Sequence, residues 1–164
     1  MSLRGSSARY VMRRIALLLL LAATVSPACA FTFSDGTKTE CIARGQVVPE
    51  VYAPPEHEVS RLGRIGMTVT NDKSFMIIWN MAKLNELPPA IHDLLFFHEC
   101  AHARVPTKDE ITANCEGLRA MRAAKRADFA IENQLAVFYQ KIAASAYWEA
   151  TLKCANAPRG GGSK

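Results

Sequence analysis

The sequence predicts a small α+β protein in which a β-hairpin or small sheet is followed by a mainly helical body. Two observations carry this prediction. Apolar residues alternate with small or polar residues before residue 80, which is the period of a strand, and they recur at helical spacing after residue 88. Of the 164 residues, the first 30 differ in composition from the rest, which leaves 134 residues for one domain of modest core.

The first 30 residues predict a cleaved secretory signal peptide. Four arginines precede an apolar run of about 11 residues, and Ala28 and Ala30 supply the small residues of a cleavage site after Ala30. The run is shorter than the roughly 20 residues of a membrane-spanning helix, so we expect no membrane anchor after cleavage. A lipoprotein signal at Cys29 is the alternative, although Ser26 stands where such signals carry a leucine-like residue. We therefore expect a periplasmic or secreted protein.

The charge of the mature chain argues against a nucleic-acid partner. The leader holds four of the 20 Lys and Arg and none of the 15 Asp and Glu, which leaves a net charge near +1 after cleavage. A chain without excess cations gains nothing by displacing the counterions of phosphates, so we expect no nucleic-acid binding. We further expect the mature protein to be a monomer.

Two alternating apolar segments around a polar turn predict a β-hairpin at residues 64–80. The alternating residues are Ile65, Met67, Val69, Phe75, Ile77 and Trp79, and Asn71 with Asp72 supplies the turn. The preceding residues 31–60 contain several Gly and Pro, and they predict at most one short strand, near residues 42–52.

Helices are predicted throughout the rest of the chain. Pro89 suits the first turn of a helix over residues 90–104, which Pro106 ends. The hydroxyl of Thr107 is placed to cap a second helix, over residues 107–126.

The C-terminal third of the chain completes the domain. Apolar residues at helical spacing over residues 128–153 predict one long helix or two shorter ones. We expect a single domain over residues 31–157, followed by a disordered glycine-rich tail at residues 158–164.

The segment His98-Glu99-Cys100-Ala101-His102 fits the HExxH pattern. On a helix its two histidines lie about 40° apart, and Glu99 lies about 60° beyond His102. All three face one narrow arc among apolar residues, where burial is costly unless a divalent metal compensates it. We therefore predict that His98 and His102 bind zinc and that Glu99 is the base that activates a water.

Glu110 is the candidate for a third ligand, because catalytic zinc is usually held by three protein side chains and a water. Glu110 and Asn114 lie about 40° apart on the apolar face of the second helix, so we expect both to be buried. The alternative for Glu110 is a capping box with Thr107. We expect Asn114 to orient a ligand by hydrogen bonding, and its alternative is a buried polar residue at a helix contact.

HExxH followed by a glutamate on the next helix, with an asparagine four residues later, resembles the gluzincin metallopeptidases. The resemblance covers residues 75–122 and is closest to small single-domain members called minigluzincins. It implies a zincin-like fold with the following residues in the site: His98, His102 and Glu110 as Zn²⁺ ligands, Glu99 as the base and Asn114 as a supporting residue.

The resemblance also implies a substrate and shows two differences from the family. In zincins the strand before the metal helix pairs with an extended peptide, and here this segment is residues 75–80. The spacer of seven residues between His102 and Glu110 is shorter than in the large peptidases, which implies a compact domain. No downstream Tyr or His matches the family's transition-state donor.

Four other polar aromatic residues are interpreted as structural. His92 lies near 10 Å along the helix axis from Glu99, and His57 belongs to a proline-rich loop. Tyr139 and Tyr147 lie on an apolar-rich helix, where a place in the core is the simpler interpretation than a donor to an oxyanion.

The mature chain keeps Cys41, Cys100, Cys115 and Cys154, and an even number in an oxidising compartment predicts two disulfides. Three pairings are open. Cys41 with Cys154, which would tie the chain ends, and Cys100 with Cys115 are favoured.

The leading hypothesis is an exported zinc-dependent peptidase or related amide hydrolase with an extended peptide or protein as substrate. The alternative is a zinc-stabilised module that binds a peptide or protein without turnover, but a structural site has no use for Glu99 and normally has four protein ligands. A third hypothesis is a coincidental HExxH in a disulfide-tied exported protein, which requires the inward-facing Glu110 to be accidental as well.

Overall fold

A computed structural model of the chain describes residues 30–71 and 74–158. The predicted signal peptide, part of the predicted hairpin turn and nearly all of the predicted tail lie outside the described residues. The strands are β1 (Phe31–Thr32), β2 (Lys38–Thr39), β3 (Ile42–Ala43), β4 (Gln46–Val47), β5 (Glu50–Tyr52), β6 (Gly66–Asn71) and β7 (Ser74–Trp79). The helices are α1 (Glu58–Arg61), α2 (Met81–Leu84), α3 (Pro89–Arg104), α4 (Glu110–Ala123), α5 (Phe129–Lys141) and α6 (Ser145–Asn156). The predicted α+β class is confirmed.

The main sheet has three strands in the order β5-β7-β6. β6 and β7 form the predicted antiparallel hairpin, in which Gly66 pairs with Trp79 and Thr70 with Phe75. β5 adds to the other side of β7 in parallel. β6 is therefore an edge strand of this sheet, whereas β7 lies between two partners.

Residues 31–60, predicted to hold at most one short strand, hold five, β1 to β5. β3 and β4 form an antiparallel ribbon around Arg44 and Gly45, whose φ angles of 53° and 74° make the tight turn that such a ribbon requires. β5 then leaves the ribbon to join β7. Short strands separated by positive-φ turns do not produce the long alternation by which strands are recognised in a sequence.

α3 is the central helix of the fold and begins at Pro89, one residue before its predicted start. It is buried on nearly every side, because the sheet, the N-terminal ribbons and the helices α4 and α5 all pack on it. Even the charged Asp93 is buried, and its carboxylate lies 3.2 Å from a guanidinium nitrogen of Arg126. Within the described residues, no helix is long and apolar enough to cross a membrane.

The later helices begin and end where local hydrogen bonds allow. α4 starts at Glu110 because the carboxylate of Asp109 accepts from the amide of Thr112 at 2.7 Å, so the predicted cap at Thr107 is wrong. It ends at Ala123, before Lys125 adopts a φ of 59°. The C-terminal segment forms two helices, α5 and α6, as one of the two predictions allowed.

The two predicted disulfides are present, but the favoured pairing is wrong. Cys41 pairs with Cys100, and Cys115 pairs with Cys154. Cys100 faces the ribbon that contains β3, whereas Cys115 faces α6, so the two helix cysteines point to different neighbours. The loops span 59 and 39 residues, for which chain entropy gives a stabilisation of about 4 kcal/mol each. Two disulfides are compatible with an exported protein.

A buried carboxyl joins β5 to β7. Glu50 is 3% exposed, and one of its carboxyl oxygens accepts from Trp79 Nε1 at 2.7 Å. Burial raises the pKa of Glu50 to about 7, although the hydrogen bond from Trp79 opposes this rise. The protonated carboxyl is therefore the form that the fold favours.

Glu50 should make the protein less stable as the pH rises. The folded pKa lies above the ordinary value of 4.5, so the stabilisation is complete below pH 4.5 and is lost by about pH 7. The loss amounts to at most about 3 kcal/mol, because one pKa unit corresponds to about 1.4 kcal/mol. Denaturant unfolding at a series of pH values should show that Glu50→Gln loses this dependence relative to the unchanged protein.

Glu56→Gln is the matched control for this measurement, since Glu56 is exposed. The difference between each variant and the unchanged protein is the quantity to compare, because other titrating groups then cancel. A Glu50→Gln difference that stays constant from pH 4.5 to 7 would contradict the assignment.

Candidate metal centre

The site is formed where α3 and α4 approach each other most closely. A Cβ built on Gly117 of α4 would lie 2.9 Å from the backbone nitrogen of His98 and 3.0 Å from the carbonyl carbon of Phe97. Any larger residue would therefore meet the α3 backbone. Glycine in a helix interior lowers the stability of the helix. Here the absence of a side chain allows the close contact between α3, which carries His98 and His102, and α4, which carries Glu110.

Three ligand atoms converge at this contact. His98 Nε2 lies 3.2 Å from His102 Nε2, and Glu110 Oε2 lies 3.1 Å from the first and 3.6 Å from the second. Each residue thus offers one donor atom to a common point, and among the described residues this is the group that can hold a metal ion. The structure brings together the three predicted ligands.

The spacing of the three atoms fits a tetrahedral ion. Zinc binds nitrogen and carboxylate oxygen at about 2.0–2.2 Å, so two ligands of one tetrahedral ion lie about 3.3–3.5 Å apart. The three separations of 3.1, 3.2 and 3.6 Å are close to that value. Three protein ligands leave the fourth position for a water or a substrate oxygen.

Asn114 contacts the Nδ1 side of the His98 ring, away from the ligand cluster. Its side-chain oxygen lies 3.3 Å from His98 Nδ1, and its amide nitrogen donates to Thr151 Oγ1 at 3.0 Å. Because an amide oxygen can only accept, His98 carries its proton on Nδ1 and directs the lone pair of Nε2 to the ligand cluster. Asn114 is 1% exposed, as predicted for a buried supporting residue.

His102 is oriented in the same way by a different group. Its Nδ1 lies 2.8 Å from the backbone carbonyl oxygen of Thr107, which also can only accept. Nε2 of His102 is therefore unprotonated when the ring is neutral. Two such nitrogens at 3.2 Å repel each other unless a proton or a cation lies between them.

The contact between His98 and Glu110 shifts the pKa values of both groups. Burial opposes protonation of His98, but the contact with Glu110 and the charges of Glu99 and Glu110 outweigh burial and raise the pKa of His98. The hydrogen bond with His98 holds the pKa of Glu110 below its ordinary value, against the effect of burial. The carboxylate therefore stays ionised, which is the form that binds a metal.

Glu110 differs from the prediction in one respect. Its side chain is 66% exposed rather than buried, although its carboxylate reaches both histidines. The reason is its place at the first residue of α4, where the helix has only begun to pack on α3. The alternative of a capping box between Thr107 and Glu110 is absent, since Thr107 Oγ1 accepts from the amide of Asp109 instead.

Glu99 lies beside the ligand cluster and is held by strand β6. Thr68 Oγ1 lies 2.7 Å from Glu99 Oε2 and 2.8 Å from its backbone oxygen. A Cβ built on Gly66 would lie 3.2 Å from Glu99 Oε1 and 2.7 Å from the Trp79 ring, so glycine leaves room for both groups. Glu99 as a residue is 6% exposed, yet it belongs to the wall of an open cleft.

That cleft, of about 890 Å³, runs between β6 and the loop that joins α3 to α4. β6 contributes its residues 66–70, and the opposite wall contains Pro106, Thr107 and Lys108. The implied role of residues 75–80 as the substrate-pairing strand is wrong, because β6 occupies the side of β7 that faces the site. The edge strand beside the metal ligands is β6.

The sequence interpretation missed Thr68, Gly66 and the Thr107 carbonyl. Thr68 and Gly66 were visible only as members of an alternating strand, and nothing in that pattern ties them to Glu99. The backbone carbonyl of Thr107 has no signal in a sequence, since every residue has one.

The remaining candidates lie outside the ligand cluster. His57 caps α1, with Nδ1 accepting from the amide of Val59 at 3.2 Å, and His92 packs on Phe31. Tyr139 accepts from Asn114 at 3.5 Å. Tyr147 donates to the backbone oxygen of Glu110 at 2.9 Å, and burial raises its pKa. Neither tyrosine belongs to the cleft wall.

Comparisons of the chain with models of protein families, with curated proteins and with solved structures find no match.

Replacing Gly117 by alanine should weaken metal binding and lower stability. Alanine is the better helix residue by about 1 kcal/mol, so an isolated helix would be stabilised. Here the added methyl meets backbone atoms of His98 and Phe97, and overpacking of this kind costs about 1–3 kcal/mol. Denaturant unfolding with a chelator present isolates the effect on the fold, and a metal titration measures the affinity. A more stable variant with unchanged affinity would contradict the close-contact argument.

Proposed function

We propose that this protein is an exported zinc-dependent peptidase of the gluzincin type. The observation that carries the proposal is the convergence of His98 Nε2, His102 Nε2 and Glu110 Oε2 within 3.6 Å of one another, beside Glu99 and an open cleft. No nucleic-acid partner is proposed, because the mature chain has almost no net charge.

The donor set favours zinc. Two imidazole nitrogens with one carboxylate oxygen suit this metal, whereas calcium and magnesium prefer oxygen ligands throughout. Three protein ligands are typical of a catalytic zinc, and a structural zinc normally has four. When bound, zinc would supply acidity to a water and polarisation to a substrate carbonyl.

Glu99 is proposed as the general base. It would accept a proton from the attacking water and return that proton to the leaving amine, which balances the hydrolysis of an amide. Thr68 fixes one carboxyl oxygen by hydrogen bonding, and Glu99 Oε1 remains beside Gly66. A merely structural metal site would not need a carboxylate oriented in this way, and this argues against the alternative of a zinc-stabilised binding module.

The substrate is proposed to be an extended peptide or protein segment. β6 is an edge strand, so the backbone groups on its outer side are available to an added strand. This edge lies along the cleft and beside Glu99. A peptide paired with β6 would pass across the ligand cluster.

An extracytoplasmic location follows from the proposed signal peptide. The two disulfides persist in a periplasm or an extracellular space and rarely in a cytosol. The mature chain would begin at Phe31, and its side chain is buried from the first residue of β1.

The purified mature protein should contain close to one equivalent of zinc. Glu110→Ala and His98→Ala should each reduce it towards none, since either variant leaves only two ligands. Elemental analysis after dialysis against a weak chelator measures the zinc content. Glu149→Ala, an exposed carboxylate of α6, is the matched control and should keep its zinc. Unchanged zinc in Glu110→Ala would remove the third ligand from the proposal.

Turnover should depend on Glu99. The zinc-loaded protein should cleave an unfolded protein substrate, and Glu99→Gln should retain zinc but lose roughly 10²–10⁴-fold in rate, as is typical when a general base is removed. Mass spectrometry of the released fragments measures the cleavage rate of each protein, and elemental analysis measures its zinc content. Equal rates in the two proteins would mean that Glu99 is not the base. Binding without cleavage by the unchanged protein would favour the binding module.

A further inference from the structure

The cleft has an uneven distribution of charge. Apart from the metal ligands and Glu99, its charged wall residues are all cationic, and they are Arg44, Arg64 and Lys108. All three are exposed, and none forms an ion pair with a described residue. Within residues 30–71 and 74–158, no carboxylate neutralises these three charges.

Arg44 is held at one end of β6. It lies in the turn between β3 and β4, and its guanidinium carbon is 5.2 Å from the centroid of the Phe75 ring. Phe75 pairs with Thr70, so this cation–π contact places Arg44 at the Thr70 end of the edge strand.

Arg64 is held at the opposite end of β6. Its amide donates to the Val59 oxygen at 3.0 Å, and its carbonyl accepts from Asn80 Nδ2 at 3.1 Å. Its side chain follows the strand, with Nη1 3.8 Å from Met67 Sδ. The position of Arg64 is thus fixed two residues before Gly66.

Lys108 lies on the opposite wall of the cleft. It stands between Thr107, whose carbonyl accepts from His102, and Asp109, which caps α4. Both neighbours are fixed, so the backbone of Lys108 is fixed as well.

Thr68, which contacts Glu99, lies midway along β6, between the end near Arg64 and the end near Arg44. A strand rises about 3.3 Å per residue, so Gly66 and Thr70 each lie about 7 Å from Thr68. A divalent zinc ion balances the charges of Glu99 and Glu110, which leaves the three cations as the net charge of the cleft. Such a cleft attracts acidic ligands and repels basic ones.

We infer that the cleft selects peptides that carry acidic side chains on both sides of the bond placed at the metal, with Arg44 and Arg64 as the specificity-determining residues. This inference rests on the proposed function for the bond that is cleaved, and the acidic preference itself is a property of binding.

Three fluorescent peptides of equal length test the inference. They differ only at the two flanking positions, which hold Glu, Gln or Lys, and fluorescence anisotropy measures their binding to zinc-loaded Glu99→Gln protein. We expect the Glu peptide to bind roughly tenfold more tightly than the Gln peptide, because exposed ion pairs contribute modestly, and the Lys peptide to bind most weakly. The preference should shrink as salt is added.

Two variants locate the preference. Arg44→Asn suits the φ of 53° at this position, because asparagine tolerates the left-handed region. Arg64→Gln keeps the side chain as far as Cδ and a polar end group but removes the charge. Each should lower the Glu-to-Gln affinity ratio about threefold, whereas Arg61→Gln, an exposed arginine of α1 outside the cleft wall, should leave it unchanged. A ratio measured on one protein sample is insensitive to the folded fraction of that sample.

Equal affinities, tighter binding of the Lys peptide or no binding of any peptide would overturn the inference. Cleavage of an unfolded protein by the unchanged protein tests the proposed function separately. Cleavage without an acidic preference would leave the proposed function standing, and an acidic preference without cleavage would leave only this inference.

Discussion

The close packing of α3 on α4 is the constraint on which the site depends. The candidate ligands His98 and His102 belong to one helix and Glu110 to the next, with seven residues between His102 and Glu110. Such a short connection lets Glu110 reach the imidazoles only if the helices nearly touch, and Gly117 permits this by having no side chain against His98. A disulfide also links α3 to the segment just before β3, and a second disulfide links α4 to α6. The ligand geometry is therefore a property of the whole helical body.

The polar groups behind the ligands explain why the cluster favours a cation. Asn114 and the Thr107 carbonyl each engage one imidazole nitrogen, which leaves two unprotonated nitrogens 3.2 Å apart beside a carboxylate. Without a shared positive charge, the two imidazole lone pairs and the carboxylate would repel one another at a contact where both histidine side chains are largely buried. A proton relieves this repulsion in part, and a divalent ion relieves it for all three ligands at once. The three groups are therefore placed so that they could hold one cation between them.

The sequence was sufficient for features that depend on local spacing and insufficient for those that depend on topology. The hairpin, the metal helix and the burial of Asn114 were predicted correctly, because alternation and helical spacing determine which residues share a face. The favoured disulfides were wrong because the position of Cys100 in the chain does not reveal that the N-terminal ribbons cover α3. The substrate-pairing role implied for residues 75–80 was wrong because the parallel addition of β5 and the place of β6 beside the site are set by long-range pairing. The exposure of Glu110 was missed because a helical wheel does not show how packing weakens at a helix end.

The position of the disulfides within the sequence has a thermodynamic consequence. Cys100 directly follows Glu99, and Cys115 directly follows Asn114, so each crosslink is anchored one residue from a member of the site. Whatever stabilises the ligand cluster then also stabilises the crosslinked form of the chain, and the converse holds by linkage. If an ion binds the cluster, its binding and the oxidation of the four thiols are coupled equilibria, in which each favours the other. The redox potential of the surroundings would then act on occupancy of the cluster without any direct contact between sulfur and the ion.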